Sequence, residues 1–172
     1  MNTRKMYIAE AERILEINGA VAKHDVMLRL TALLTIPGYT CLRPPGAAGA
    51  ILVPDSYGDY ADLLLIGCVE PPTGPTCVEV DSCEMENGHC VRTIHAEVNA
   101  ILLAAYEGIS TKNSTLYSLL KPCYQCPKVA VAAGVKKIIY AAAAYDEVRT
   151  RILLEQAGIE VHHVDIGLGY GH

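Results

Sequence analysis

Two short clusters of metal-binding side chains constrain this chain more than any other feature: His95-Ala96-Glu97 and Pro122-Cys123-Tyr124-Gln125-Cys126. A catalytic zinc takes three protein ligands and keeps a fourth position open, and one imidazole with two thiolates spaced C-x-x-C meets that need. The spacing predicts that each cluster opens a helix, the second directly after a strand. Two cysteines three apart on a first helical turn can point at one ion, and the unpaired N–H groups there favour the thiolate form. Glu97 lies two residues beyond the candidate ligand His95, where it can stand beside the ion without binding it. That is the place for a proton carrier: zinc lowers the pKa of water to about 7, and a nearby carboxylate accepts the proton and passes it on. A purely structural zinc would leave Glu97 without a task.

The rest of the chain must bring the two clusters together. Arg4 to Ile17 and Val21 to Leu34 have helical spacing, and Ile36-Pro37-Gly38 ends that pattern. Ala50 to Val53 and Leu63 to Cys68 are short apolar runs bracketed by Pro, Gly and Asp, as strands are. Pro71 to Cys90 has neither period and is expected to be an irregular loop. After it, helix is expected over His95 to Tyr106, Cys126 to Ala133 and Glu147 to Ala157, the last closed by Gly158. Strand is expected over Thr115 to Leu119, Lys137 to Ala143 and Ile159 to Val164. This alternation argues a parallel or mixed sheet with helices on its faces.

At 172 residues the chain has the size of one domain, and no linker or repeat divides it. The expected layout is a single domain over 1–172, with helices in 1–36, a core over 40–164 and a flexible Gly-rich tail at 167–172. A net charge of −5 without a basic cluster argues against a polynucleotide partner and for a small molecule. The opening residues are amphipathic rather than signal-like, and no apolar stretch has membrane-spanning length. A cytoplasmic protein without membrane contact is therefore expected. Seven cysteines in a reducing compartment point to metal ligands or buried thiols rather than to disulfides.

Gly88-His89-Cys90-Val91-Arg92-Thr93-Ile94-His95-Ala96-Glu97-Val98-Asn99-Ala100-Ile101, with Pro122 to Cys126, resembles the deoxycytidylate (dCMP) deaminase family of the zinc-dependent cytidine deaminase superfamily. The resemblance covers roughly residues 40 to 164 and is strong after Gly88. It implies a three-layer α/β/α fold with a five-stranded mixed sheet, zinc at the starts of the two central helices, and a homo-oligomer, usually a hexamer. The implied reaction is hydrolytic deamination of a free cytosine nucleotide, dCMP first, with Glu97 as acid and base. Some members carry a second, structural zinc, for which Cys41, Cys77, Cys83, His89 and Cys90 are the candidates here. The other reading of these residues is small buried hydrophobes, and both stand.

Two segments depart from the family. Gly67-Cys68-Val69-Glu70 replaces a common Gly-Tyr-Asn-Gly associated with sugar contacts and triphosphate control, and valine has no amide to offer. Tyr117-Ser118-Leu119 replaces a common Tyr-Val-Thr. The alternatives are therefore a modified pyrimidine, a nucleoside or another small amino-heterocycle as substrate, and a catalytically silent zinc scaffold. Arg43, Arg92 and Lys121 are the basic residues nearest the motifs and are candidates for a 5′-phosphate. Ala96, Tyr117 and Tyr124 are candidate base contacts, although aromatics beside a strand end are more often core. Asn99 is read as structural, and His24, His162 and His163 as surface or packing residues.

Overall fold

The computed structural model describes residues 31, 48–55, 65–75, 77, 79–86, 89–142 and 148–167, with residue 89 described in its backbone only. The expected opening helices, apart from residue 31, lie outside these residues, as do Cys41, Arg43 and the tail beyond 167. The described elements in chain order are β1 (Gly49–Val53), β2 (Leu65–Cys68), β3 (Met85–Glu86), β4 (His89–Cys90), α1 (Ala96–Tyr106), β5 (Thr115–Leu120), α2 (Gln125–Ala132), β6 (Lys137–Ala142), α3 (Val148–Gln156) and β7 (Glu160–His163).

Five strands form one mixed sheet in the order β2-β1-β5-β6-β7. Strand β1 runs antiparallel to both neighbours, whereas β5, β6 and β7 run parallel. The apolar run of β1 is buried at all five positions, as a strand covered on both faces requires. The fold is α/β with the expected five-stranded mixed sheet. Strands β2 and β5 both oppose β1, so they point the same way. Crossovers between parallel strands are right-handed, and β2–α1–β5, β5–α2–β6 and β6–α3–β7 all step in one direction. Their helices therefore share one face, where α1 packs on α2 and α2 on α3.

This topology positions the site. Helix α1 follows β2 and α2 follows β5, so both helices begin at the same end of the sheet, the carboxyl end of these strands. Ligand crevices in α/β sheets lie at that end. The approach of α1 to the sheet is close. Ala50 pairs with Gly67 on one side and Ser118 on the other, so three small residues form one row. A Cβ on Gly67 would overlap the Ala96 carbonyl oxygen and lie 2.5 Å from the Ala100 amide nitrogen. Glycine is thus required where the strand meets the first turn of α1.

The stretch 71–90 is mostly irregular, as expected, but it contains the short ribbon β3–β4, in which Met85 pairs with Cys90 and Glu86 with His89. Strands of two residues carry no readable period, which is why the sequence does not announce them.

Candidate metal centre and active site

His95 takes an extended backbone conformation as the N-cap of α1, and its carbonyl accepts the Asn99 amide at 2.9 Å. Cys123 lies between β5 and α2, and Cys126 lies in the first turn of α2. Their side chains converge: His95 Nδ1 is 3.4 Å from Cys123 Sγ and 3.3 Å from Cys126 Sγ, and the two sulfurs are 3.6 Å apart. Among the described residues this is the one group of three His, Cys, Asp or Glu donors able to hold a metal ion.

The separations can be compared with a metal's demands. Zinc bonds of about 2.3 Å to sulfur and 2.0–2.1 Å to nitrogen place tetrahedral ligand atoms about 3.8 Å apart for two sulfurs and about 3.6 Å for sulfur and nitrogen. The observed distances fall within a few tenths of an ångström of these, and the donor set is the borderline-soft one that zinc prefers. The site fits zinc. The donors also act on one another. The hydrogen bond with Cys126 draws the Cys123 thiol down to about 3 against the effect of burial, with His95 assisting. The same bond, with burial and the Glu97 charge, pushes the Cys126 thiol up, and the bond to Cys123 raises His95.

Glu97 is buried, only 5% exposed. Its Oε1 accepts a hydrogen bond from Ser118 Oγ at 2.8 Å, and its Oε2 accepts one from Cys126 Sγ at 3.5 Å. The carboxylate thus stands beside the three donors. A cavity of about 580 Å³ opens onto them, lined by Cys90, Ile94, His95, Val98, Cys123, Tyr124, Gln125 and Cys126. Its walls are largely apolar, with Tyr124 and Gln125 supplying polar groups.

The other expected contacts divide. Tyr124 lines the cavity, with Lys128 Nζ 4.9 Å from its ring centre. Tyr117 and Ala96 do not line it. Tyr117 is buried in the core, and burial pushes its phenol up to about 12; Ala96 is fully buried under the start of α1. Arg92 is engaged in the preceding loop, donating to the Pro75 carbonyl at 2.8 Å and lying 3.8 Å from Glu84 Oε1. Lys121 donates its backbone amide to Ala142 at 2.7 Å and is not part of the lining. Asn99 is structural, as expected: its side-chain amide donates to the Cys68 carbonyl at 2.6 Å, tying α1 to β2.

Of the candidates for a second metal, Cys77, Cys83 and Cys90 have described side chains. Cys77 is buried, and Cys83 and Cys90 are half-buried. Cys90 hydrogen-bonds with Cys77, accepts from Thr93 Oγ1 at 3.4 Å and also lines the cavity. His162 and His163 sit on the outer strand β7, where His163 stacks on Tyr140 with ring centres 5.1 Å apart. Sequence reasoning missed Ser118 and Gly67 as parts of the site. A small hydroxyl side chain followed directly by Leu119 and Leu120 in a strand was the available sign of the first.

With this geometry in place, residues 66–142 match the cytidine and deoxycytidylate deaminase zinc-binding region. Over these residues the chain carries a segment similar to the zinc-binding region of cytidine and deoxycytidylate deaminases. It is 39% identical over 93 residues to ComE operon protein 2 of Bacillus subtilis, covering 54% of this chain and 49% of that protein. It is 44% identical over 73 residues to the deoxycytidylate deaminase of Enterobacteria phage T4, covering 41% of this chain and 37% of that one. The chain thus spans about half or less of the length of these curated relatives. The dCMP deaminase of cyanophage S-TIM5, solved in complex with dCMP and dUMP, superposes with a TM-score of 0.61 at 27% identity, over 80% of this chain and 93% of that one. Among the described residues no helix is long and apolar enough to cross a membrane.

Proposed function

We propose that this deaminase-family domain hydrolyses the exocyclic amine of a free cytosine nucleotide, dCMP first, giving the uracil product and ammonia. The observation that carries the reading is the buried Glu97 carboxylate, set beside the His95, Cys123 and Cys126 donors, which themselves line a cavity with room for a nucleotide. The names of the phage relatives supply the substrate.

In this reading His95, Cys123 and Cys126 hold the ion. Zinc bound there supplies Lewis acidity that lowers the pKa of water to about 7. Glu97 Oε2 takes one proton from the attacking water and gives it to the ring nitrogen, then takes the second from the hydroxyl now on the ring carbon and gives it to the amine, whose C–N bond breaks, so that cytosine and water become uracil and ammonia. Ile94, Val98 and Cys90 exclude bulk water, and Tyr124 and Gln125 face the base. Arg43, Arg92 and Lys121 are the proposed phosphate contacts. A homo-oligomer in the cytoplasm accompanies the reading, and zinc in excess of one equivalent per chain would place a second ion near Cys77 and Cys90. A substrate other than dCMP is the second reading. It is favoured by Val69, which is buried and apolar where the family commonly has asparagine.

The test is ammonia release, with its ultraviolet change, from cytidine, deoxycytidine, CMP, dCMP, dCTP and cytosine. The expected result is fastest turnover of dCMP, and a loss of roughly 10²- to 10⁴-fold in Glu97→Ala with zinc retained. A Glu97→Ala protein that keeps its zinc and matches the parent would overturn catalysis and leave a scaffold. Faster turnover of another substrate would move the assignment to that molecule.

A further inference from the structure

Ser118 stands mid-strand in β5 and is fully buried. A hydroxyl shut away from water needs a partner, and this one donates to Glu97 Oε1 at 2.8 Å. The bond crosses from the sheet to the first turn of α1. It also divides the carboxylate, since Oε1 is taken by the strand while Oε2 lies 3.5 Å from Cys126 Sγ, on the side of the ligand cluster. The cross-strand row places it there: Ser118 is level with Ala50 and Gly67, and the close approach of α1 over Gly67 brings the first turn of the helix down to this row.

We propose that Ser118 is a positioning residue for Glu97, its hydroxyl anchoring Oε1 to the central strand so that Oε2 alone is the proton-carrying oxygen. This rests on the deaminase reading above. The terminal torsion of a glutamate is soft and nearly two-fold, so an unanchored carboxylate exchanges its oxygens and loses its aim. An ionised carboxylate only accepts hydrogen bonds, which makes a serine O–H its natural complement. Ser118 does not line the cavity and acts through Glu97. Proton transfer requires the carrier within hydrogen-bond reach of the reacting group, so the anchor bears on turnover more than on substrate affinity.

The zinc-loaded full chain is compared with Ser118→Ala, Ser118→Thr, Glu97→Ala and the Ser118→Ala/Glu97→Ala double variant. We expect Ser118→Ala to lower kcat roughly 10- to 100-fold with KM held within about twofold, and Ser118→Thr, which keeps the hydroxyl, to recover most of the loss. The double variant is expected to be no slower than Glu97→Ala alone, because the two residues act as one unit. A second readout needs no substrate. In protein carrying ¹³C-glutamate, the infrared carboxylate band assigned by its loss in Glu97→Ala shifts in Ser118→Ala and stays in Ser118→Thr. An unmoved band, an unchanged kcat, or a double variant slower than Glu97→Ala overturns the proposal and makes Ser118 a packing residue. A parent inert toward every substrate, with the band still shifting, supports the anchor and overturns the reaction instead.

Discussion

Two stretches of this chain carry more than one cysteine, and they are organised in different ways. Around Cys123 and Cys126 the backbone is set by β5 and α2, and His95 arrives because β2 and β5 point the same way and end together. The donors meet because the sheet brings them. From Cys77 to Cys90 the chain is held by local ties: Ser82 to the Cys77 carbonyl at 3.1 Å, Arg92 to Pro75 and Glu84, and Thr93 to Cys90. Among the described residues no second group of three donors gathers there. Spacing on regular elements therefore makes a ligand set legible, whereas three cysteines on a loop do not.

Metal content breaks or sharpens that contrast most sharply. One zinc per chain is expected in the parent, essentially none after dialysis in Cys126→Ser, and a full equivalent in Cys83→Ser, each measured by atomic absorption. A second equivalent that disappears in Cys77→Ser would show that the loop also builds a site, completed by residues such as Cys41 or His89.

The next largest effect is on packing. Gly67 sits against the hydrogen-bonded pair of Ala96 carbonyl and Ala100 amide, both backbone groups that cannot rotate away. Gly67→Ala is expected to cost about 3 kcal/mol, the upper end of overpacking penalties, and to lower turnover by displacing His95 and Glu97. Gly74, in the loop, has φ of 78° but nothing within 4 Å of an added Cβ. Gly74→Ala is expected to cost about 1 kcal/mol from the left-handed backbone alone and to leave turnover unchanged. Urea midpoints check both, and equal midpoints would mean that α1 does not depend on the close approach.

Much of this was legible in the sequence. The strand expected over Lys137 to Ala143 is observed as Lys137–Ala142, and the helix expected over His95 to Tyr106 as Ala96–Tyr106. The three candidate ligands could be read because each lies at or just before a helix start. What could not be read depends on register across strands. That Ser118 lies level with Ala50 and Gly67, and so beneath Glu97, follows from pairings between residues far apart in sequence. Nearness along the chain does not show engagement either: Arg92 is three residues from His95, and its guanidinium donates to the loop carbonyl of Pro75. Tyr117, two strand positions before Leu119, is core because the sheet buries it.

The smallest expected effect concerns the strap between the two halves of the site. Asn99 donates to the Cys68 carbonyl at the end of β2, so it joins the strand that carries Gly67 to the helix that carries Glu97. Truncation in Asn99→Ala leaves that carbonyl without this partner and is expected to cost about 1 kcal/mol, or about 3 °C in Tm for a chain of this size. Zinc content is expected to be unchanged and kcat to move by less than about threefold, because His95, Cys123 and Cys126 keep their own supports. A variant with the parent's Tm but a kcat lowered tenfold or more would reverse this assignment. Asn99 would then act on the reacting groups, and the strap between β2 and α1 would have to reside in the Glu70–Ile94 backbone pair, whose Ile94 amide meets the Glu70 carbonyl at 2.9 Å.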